Sequence, residues 1–168
     1  MRKILAIILF ACAATFALSA CNQQEKAKDE AAAQPQVAPM PKNPTDKTAW
    51  KQYLVSVVTA NMQGVKTNHP YMYFVPAGDD DTAKNDRQNQ LDNVKNVVAR
   101  GVLPGNMMAF GGPDSKTTAD LVVESFKDAQ AGSFKDVVVL FIGAPGDVDE
   151  IKQALTSSGA EVRFVEAK

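Results

Sequence analysis

The chain is poor in the side chains that most catalysis and metal binding use. Its 168 residues include one histidine, two cysteines and one tryptophan. A Ser-His-Asp triad would have to route through His69, which precedes Pro70 and is biased toward extended loop structure. No Gly-x-Ser-x-Gly elbow exists to pair with it. A conventional zinc site, which needs several Cys or His ligands, is excluded on the same ground. Nor does charge of one sign dominate: 18 Lys+Arg stand against 19 Asp+Glu, so no basic excess points to nucleic acid. The 45% hydrophobic and 22% charged residues are ordinary for a globular protein. What is missing removes whole classes of enzyme.

What is present begins with an address. Arg2 and Lys3 precede an apolar run from Ile4 to Leu18, which at about fifteen residues is short for a bilayer span of about twenty. Leu18-Ser19-Ala20-Cys21 follows. The stretch resembles a bacterial lipoprotein signal peptide ending in a lipobox: leucine, two small residues, then cysteine. The resemblance covers residues 1–21 only. It implies cleavage of residues 1–20 as signal peptide and lipidation of Cys21, the acyl chains (palmitate among them) anchoring the protein in a membrane. It also implies a periplasm-facing place in the bacterial cell envelope, and Asn22 in place of Asp favours the outer membrane over the inner. Each buried CH2 contributes about 0.8 kcal/mol, so several acyl chains hold firmly. Cys12 lies in the removed signal and Cys21 is consumed by lipid, so thiol catalysis, disulfides and Cys-ligated metals drop out. Removal of Arg2 and Lys3 leaves 16 basic against 19 acidic side chains, net −3.

Residues 21–45 read as the lipidated N-terminus and a flexible tether, rich in Gln, Lys, Glu and Ala, with prolines at 35, 39, 41 and 44. Such a composition buries too little apolar surface to offset ordering entropy. Its reach is on the order of 30 Å.

From Asp46 to Lys168 the pattern is that of a single globular domain. Trp50, Tyr53, Leu54, Val57, Val58, Met62 and Val65 form one helical stripe capped by Asp46 and stopped by Gly64. A strand at Tyr71–Val75 precedes a polar helix opened by Asp81 and ended at Gly101. A second strand, Asn106–Phe110, precedes a helix from Ser115 to Gly132. Val137–Ile142 is apolar on both faces, the mark of a central parallel strand. A last helix ends at Gly159, and Val162–Val165 closes the chain. The alternation predicts an α/β fold: a small sheet of about four strands, mainly parallel, with helices packed on its faces.

Each strand-to-helix loop repeats one chemistry: Pro76-Ala77-Gly78-Asp79-Asp80-Asp81, Gly111-Gly112-Pro113-Asp114-Ser115, and Gly143-Ala144-Pro145-Gly146-Asp147. In a parallel sheet these loops leave the carboxyl ends of the strands, where α/β proteins place ligands. Asp79, Gly111, Gly112, Asp114, Ser115, Gly143, Gly146 and Asp147 are therefore candidates for a small ligand or a divalent cation. The same residues also make ordinary helix caps and turns, and the sequence leaves both readings open. Gly112-Pro113-Asp114-Ser115-Lys116-Thr117 lacks the glycines of a P-loop, Ser115 and Phe110 standing in their places. Asp79-Asp80-Asp81 lacks the sixth-position glycine of a calcium loop, Lys84 standing there. No motif calls for a cofactor.

Tyr71 and Tyr73 alternate on one face of a strand expected at the sheet edge, where a partner strand could add by β-augmentation. The absent catalytic set and the tether together point to a non-enzymatic binding or interaction module with an envelope protein as partner. A ligand- or metal-binding domain is the alternative.

Overall fold

The computed structural model describes residues 37–168. The expected signal peptide, Cys21 and the tether as far as residue 36 lie outside the described residues. Helix and strand alternate as α1 (Lys47–Ala60), β1 (Tyr71–Phe74), α2 (Asp81–Arg100), β2 (Met107–Gly111), α3 (Ser115–Phe126), β3 (Val138–Gly143), α4 (Val148–Leu155) and β4 (Glu161–Glu166). Carboxylates cap the first three helices by accepting first-turn N–H groups: Asp46 from Ala49, Asp80 from Ala83 and Asp114 from Thr117. Among the described residues no helix is long and apolar enough to cross a membrane.

All four strands run parallel in the order β1-β2-β3-β4. The chain thus forms a small all-parallel α/β sheet. When spatial order follows chain order, every crossover steps the same way, and crossovers of one hand place their helices on one face. Val94 and Val98 of α2, Val122 of α3 and Ile151 of α4 share a core there. Among the described residues the opposite face is covered chiefly by α1, through Trp50, Tyr53, Leu54, Val57 and Val58. Fully burying one of these aliphatic side chains contributes about 1.5–3 kcal/mol.

Register gives each face its texture. Tyr73, Phe110, Phe141 and Phe164 lie in one row across the sheet. Tyr73 stacks on Phe110 at 4.9 Å between ring centres, and Phe141 on Phe164 at 6.2 Å. The next row, on the α1 face, is Phe74, Gly111, Ile142 and Val165. A Cβ on Gly111 would stand 2.5 Å from Leu54 Cδ2, so glycine is what lets α1 lie close on the sheet. The last strand reaches back to the first helix. Arg163 Nη1 donates to the carbonyls of Asn61 (3.2 Å) and Gln63 (2.7 Å), a cation at the negative end of α1.

Two boundaries differ from expectation. α3 stops at Phe126 rather than running to Gly132, because Phe126 packs edge-on against Phe134 at 4.9 Å and folds the following segment inward. Residues 38–43, expected within the tether, are held on α1: Ala38 N donates to Ser56 Oγ (2.9 Å) and Trp50 Nε1 to the Asn43 carbonyl (3.1 Å).

Candidate functional site

The sheet brings two of the three Asp/Gly loops together. Ser115 Oγ donates to Asp147 Oδ2 (2.5 Å) and accepts from Ala144 N (2.6 Å), tying the loop after β2 to the loop after β3. Asp114 is occupied by Thr117 N, and its carbonyl accepts from Thr118 Oγ1 (2.8 Å). The first loop is separately tied. Arg87 donates to the Pro76 (3.2 Å) and Gly78 (2.6 Å) carbonyls. Asp80 accepts from Ala83 N (2.9 Å), a bond that holds its carboxyl below the usual range. Asp79 is exposed and has no side-chain bond among the described residues.

A shallow crevice of about 250 Å³ lies beside the joined loops, lined by Trp50, Gly112, Ser115, Gly143 and Glu166. Its glycines serve the protein's own packing. A Cβ on Gly112 would run into the Val75 carbonyl oxygen, and one on Gly143 would meet the Phe141 ring and Ser115 Oγ. Only Gly146 of the candidate glycines has open space beside it. The strand order contains no reversal, so the sheet lacks the switch point at which open α/β sheets part their loops around a ligand. Among the described residues no group of His, Cys, Asp or Glu is gathered to hold a metal ion. Lys116 is turned to Asp120 and Glu150 on the helix side, and these partners push its pKa up to about 12. Replacing Ser115 with alanine removes both loop-tying bonds, one of them to a carboxylate. The expected loss is about 2 kcal/mol in urea unfolding.

The two tyrosines part company. Tyr71 is 42% exposed, but Tyr73 is only 5% exposed and lies in the core under α2. Alternation puts both on one face, but register seats Tyr73 on Phe110 while Tyr71 stands at the strand's start. Tyr73 therefore does not present a partner surface. Its hydroxyl finds no hydrogen-bond partner among the described residues. Burial first, then Tyr71, pushes its pKa up to about 12, and Arg100 offsets this slightly. A raised phenol pKa gives stability that is whole below pH 10 and is lost as pH climbs toward 12. Tyr73→Phe removes an unpaired buried hydroxyl, so it is expected to raise stability by about 1 kcal/mol at pH 7. The gain should widen above pH 10 in melts followed by circular dichroism, because phenylalanine has no phenol to ionise, while Tyr53, also raised by burial, leaves the variant part of the alkaline loss.

A larger hollow than this crevice lies elsewhere, at the edge of β1 that no strand pairs with among the described residues. It measures about 670 Å³ and is walled by Lys47 and Lys51 of α1 and by Asn89, Gln90 and Asn93 of α2, with Met72 and Phe74 between. Lys47 Nζ and Asp86 Oδ2 pair across it at 2.7 Å. Sequence reasoning found the edge strand but not these walls, since residues 47–51 and 89–93 meet only when α1 and α2 straddle β1. Compared with protein-family models, curated proteins and solved structures, the chain matches none.

Proposed function

We propose that this protein is a lipid-anchored lipoprotein of the bacterial envelope whose domain binds a protein partner and catalyses nothing. Anchoring rests on the motif Leu18-Ser19-Ala20-Cys21 behind its short apolar run. One observation carries the binding role: among the described residues β1 is a sheet edge left open between two helices, beside a groove of about 670 Å³. At the carboxyl ends of the strands, by contrast, Gly111, Gly112 and Gly143 and the carboxylates of Asp114 and Asp147 are taken up by the protein's own contacts.

Two measurements in the native host test the two halves. Metabolic labelling with a palmitate analogue should mark the protein, and Cys21→Ser should abolish the label and release the protein from the membrane fraction. Unlabelled wild-type protein would refute the anchor. A photoreactive amino acid placed at Met72 should give one discrete crosslinked species, and the same probe at Leu103, 77% exposed and outside the groove, should not. Equal adduct patterns at both positions would refute the binding surface.

A further inference from the structure

We infer that the β1 edge groove receives an extended, acidic-apolar segment of the partner as a fifth strand. This rests on the binding reading above and specifies its chemistry.

The backbone supplies the first argument. Val75 N donates to the Gly111 carbonyl at 2.9 Å, so alternate residues Val75 and Tyr73 turn their peptide groups toward β2. The N–H and C=O groups of Met72 and Phe74 then face outward, and none has a partner among the described residues. The two edges of the sheet are also unlike. β4 carries Glu161, Arg163 and Glu166, charges of the kind that keep an edge from pairing. β1 is Tyr-Met-Tyr-Phe, with no charge and with Met72 37% exposed.

Shape and charge narrow the occupant. From Met72 to Pro76 the floor runs about 13 Å, and from Asp86 to Asn93 the α2 wall runs about 10 Å. A groove of that length between two helices has room for one strand, not for a second sheet with its own covering helices. Lys47 is satisfied by Asp86, but Lys51 has no ion pair among the described residues. The side chains of Asn89, Gln90 and Asn93 form no hydrogen bonds among the described residues and stand free on the opposite wall. An added strand alternates its side chains between the walls. One face meets Lys51, Met72 and Phe74, which fits a carboxylate and apolar groups. The other meets the three amides, which fits hydroxyl or amide side chains. A second copy paired edge to edge would bring Lys47 and Lys51 against their own equivalents.

The probe is the capped peptide Thr-Glu-Thr-Val-Thr-Val, titrated against the full chain purified in detergent. Its controls carry Lys in place of Glu, or N-methyl groups on alternate amides. The Glu peptide should bind about fivefold more tightly than the Lys peptide, the size of one exposed ion pair. N-methylation should abolish binding by removing strand hydrogen bonds. Lys51→Glu should invert the charge preference, and Met72→Pro, which removes an outward N–H, should abolish binding. Absence of binding by the Glu peptide, or equal binding of the N-methylated form, overturns the proposal. So does a dimer in sedimentation that Met72→Pro dissolves, since the edge would then belong to a second copy. Lys51→Glu is exposed and keeps the test sound should Met72→Pro fold poorly. None of these readouts depends on lipid at Cys21, so the anchor and the groove stand or fall separately.

Discussion

Gly112→Ala is expected to cost the domain a large share of its stability. The new Cβ would occupy the space of the Val75 carbonyl oxygen and press Thr118 Oγ1 at 3.3 Å. The obstacle is backbone, at the point where Val75 N still bonds Gly111 O, so relief requires β1 and β2 to part. Overpacking against a side chain typically costs 1–3 kcal/mol, and against a fixed strand the cost should exceed about 4 kcal/mol. That is a large share of the about 5–15 kcal/mol by which a domain is stable. A thermal midpoint at least about 15 °C lower is the expected reading by calorimetry. Gly146→Ala is the matched control, because nothing lies within 4 Å of its would-be Cβ. It should change stability by less than about 0.5 kcal/mol. If Gly112→Ala melted like wild type, the close approach of the loop to Val75 would be wrong.

Phe110→Ala should be nearly as damaging, with a second signature in its distribution. Phe110 is fully buried and sits in the aromatic row between Tyr73 and Phe141. Truncation removes the transfer free energy of the ring and leaves a cavity, together about 3–5 kcal/mol. The midpoint should fall by about 12–20 °C. Tyr73 loses the ring it stacks on, whereas Phe164 keeps Phe141. Hydrogen exchange should therefore quicken more in β1 than in β4. Equal loss of protection in both strands would deny the row its role in seating the edge strand.

Much of this architecture was legible in the chain because its signals are local. Asp46 and Asp114 announce helix starts, and Val137 to Ile142 announces a strand buried on both faces. Strand order is not local. Period-two alternation places Tyr71 and Tyr73 on one face, yet only pairing with Phe110 separates an exposed ring from a buried one. The same holds at the loops. Gly111 and Gly112 look alike in sequence to glycines that admit a ligand, and only the positions of Leu54 and Val75 reveal what they admit. Phe134 sits in a short polar stretch with no periodicity to mark it as core. The groove was hidden most thoroughly, for its walls come from residues some forty positions apart, as the Lys47–Asp86 pair with its separation of 39 records.

The unbroken order of strands also bears on how the chain assembles. Each strand adds beside the one made just before it, so every pairing closes a loop of modest length and none waits for a distant segment. For a chain exported N-terminus first, as the proposed anchor requires, the sheet can grow outward from β1 while later residues are still arriving. The bonds from Arg163 to the Asn61 and Gln63 carbonyls are of another kind, spanning 102 and 100 residues. They join the final strand to the end of the first helix and the turn after it, and can form only once β4 has been made. Folding should be correspondingly quick for a parallel sheet, with β4 docking as the late step.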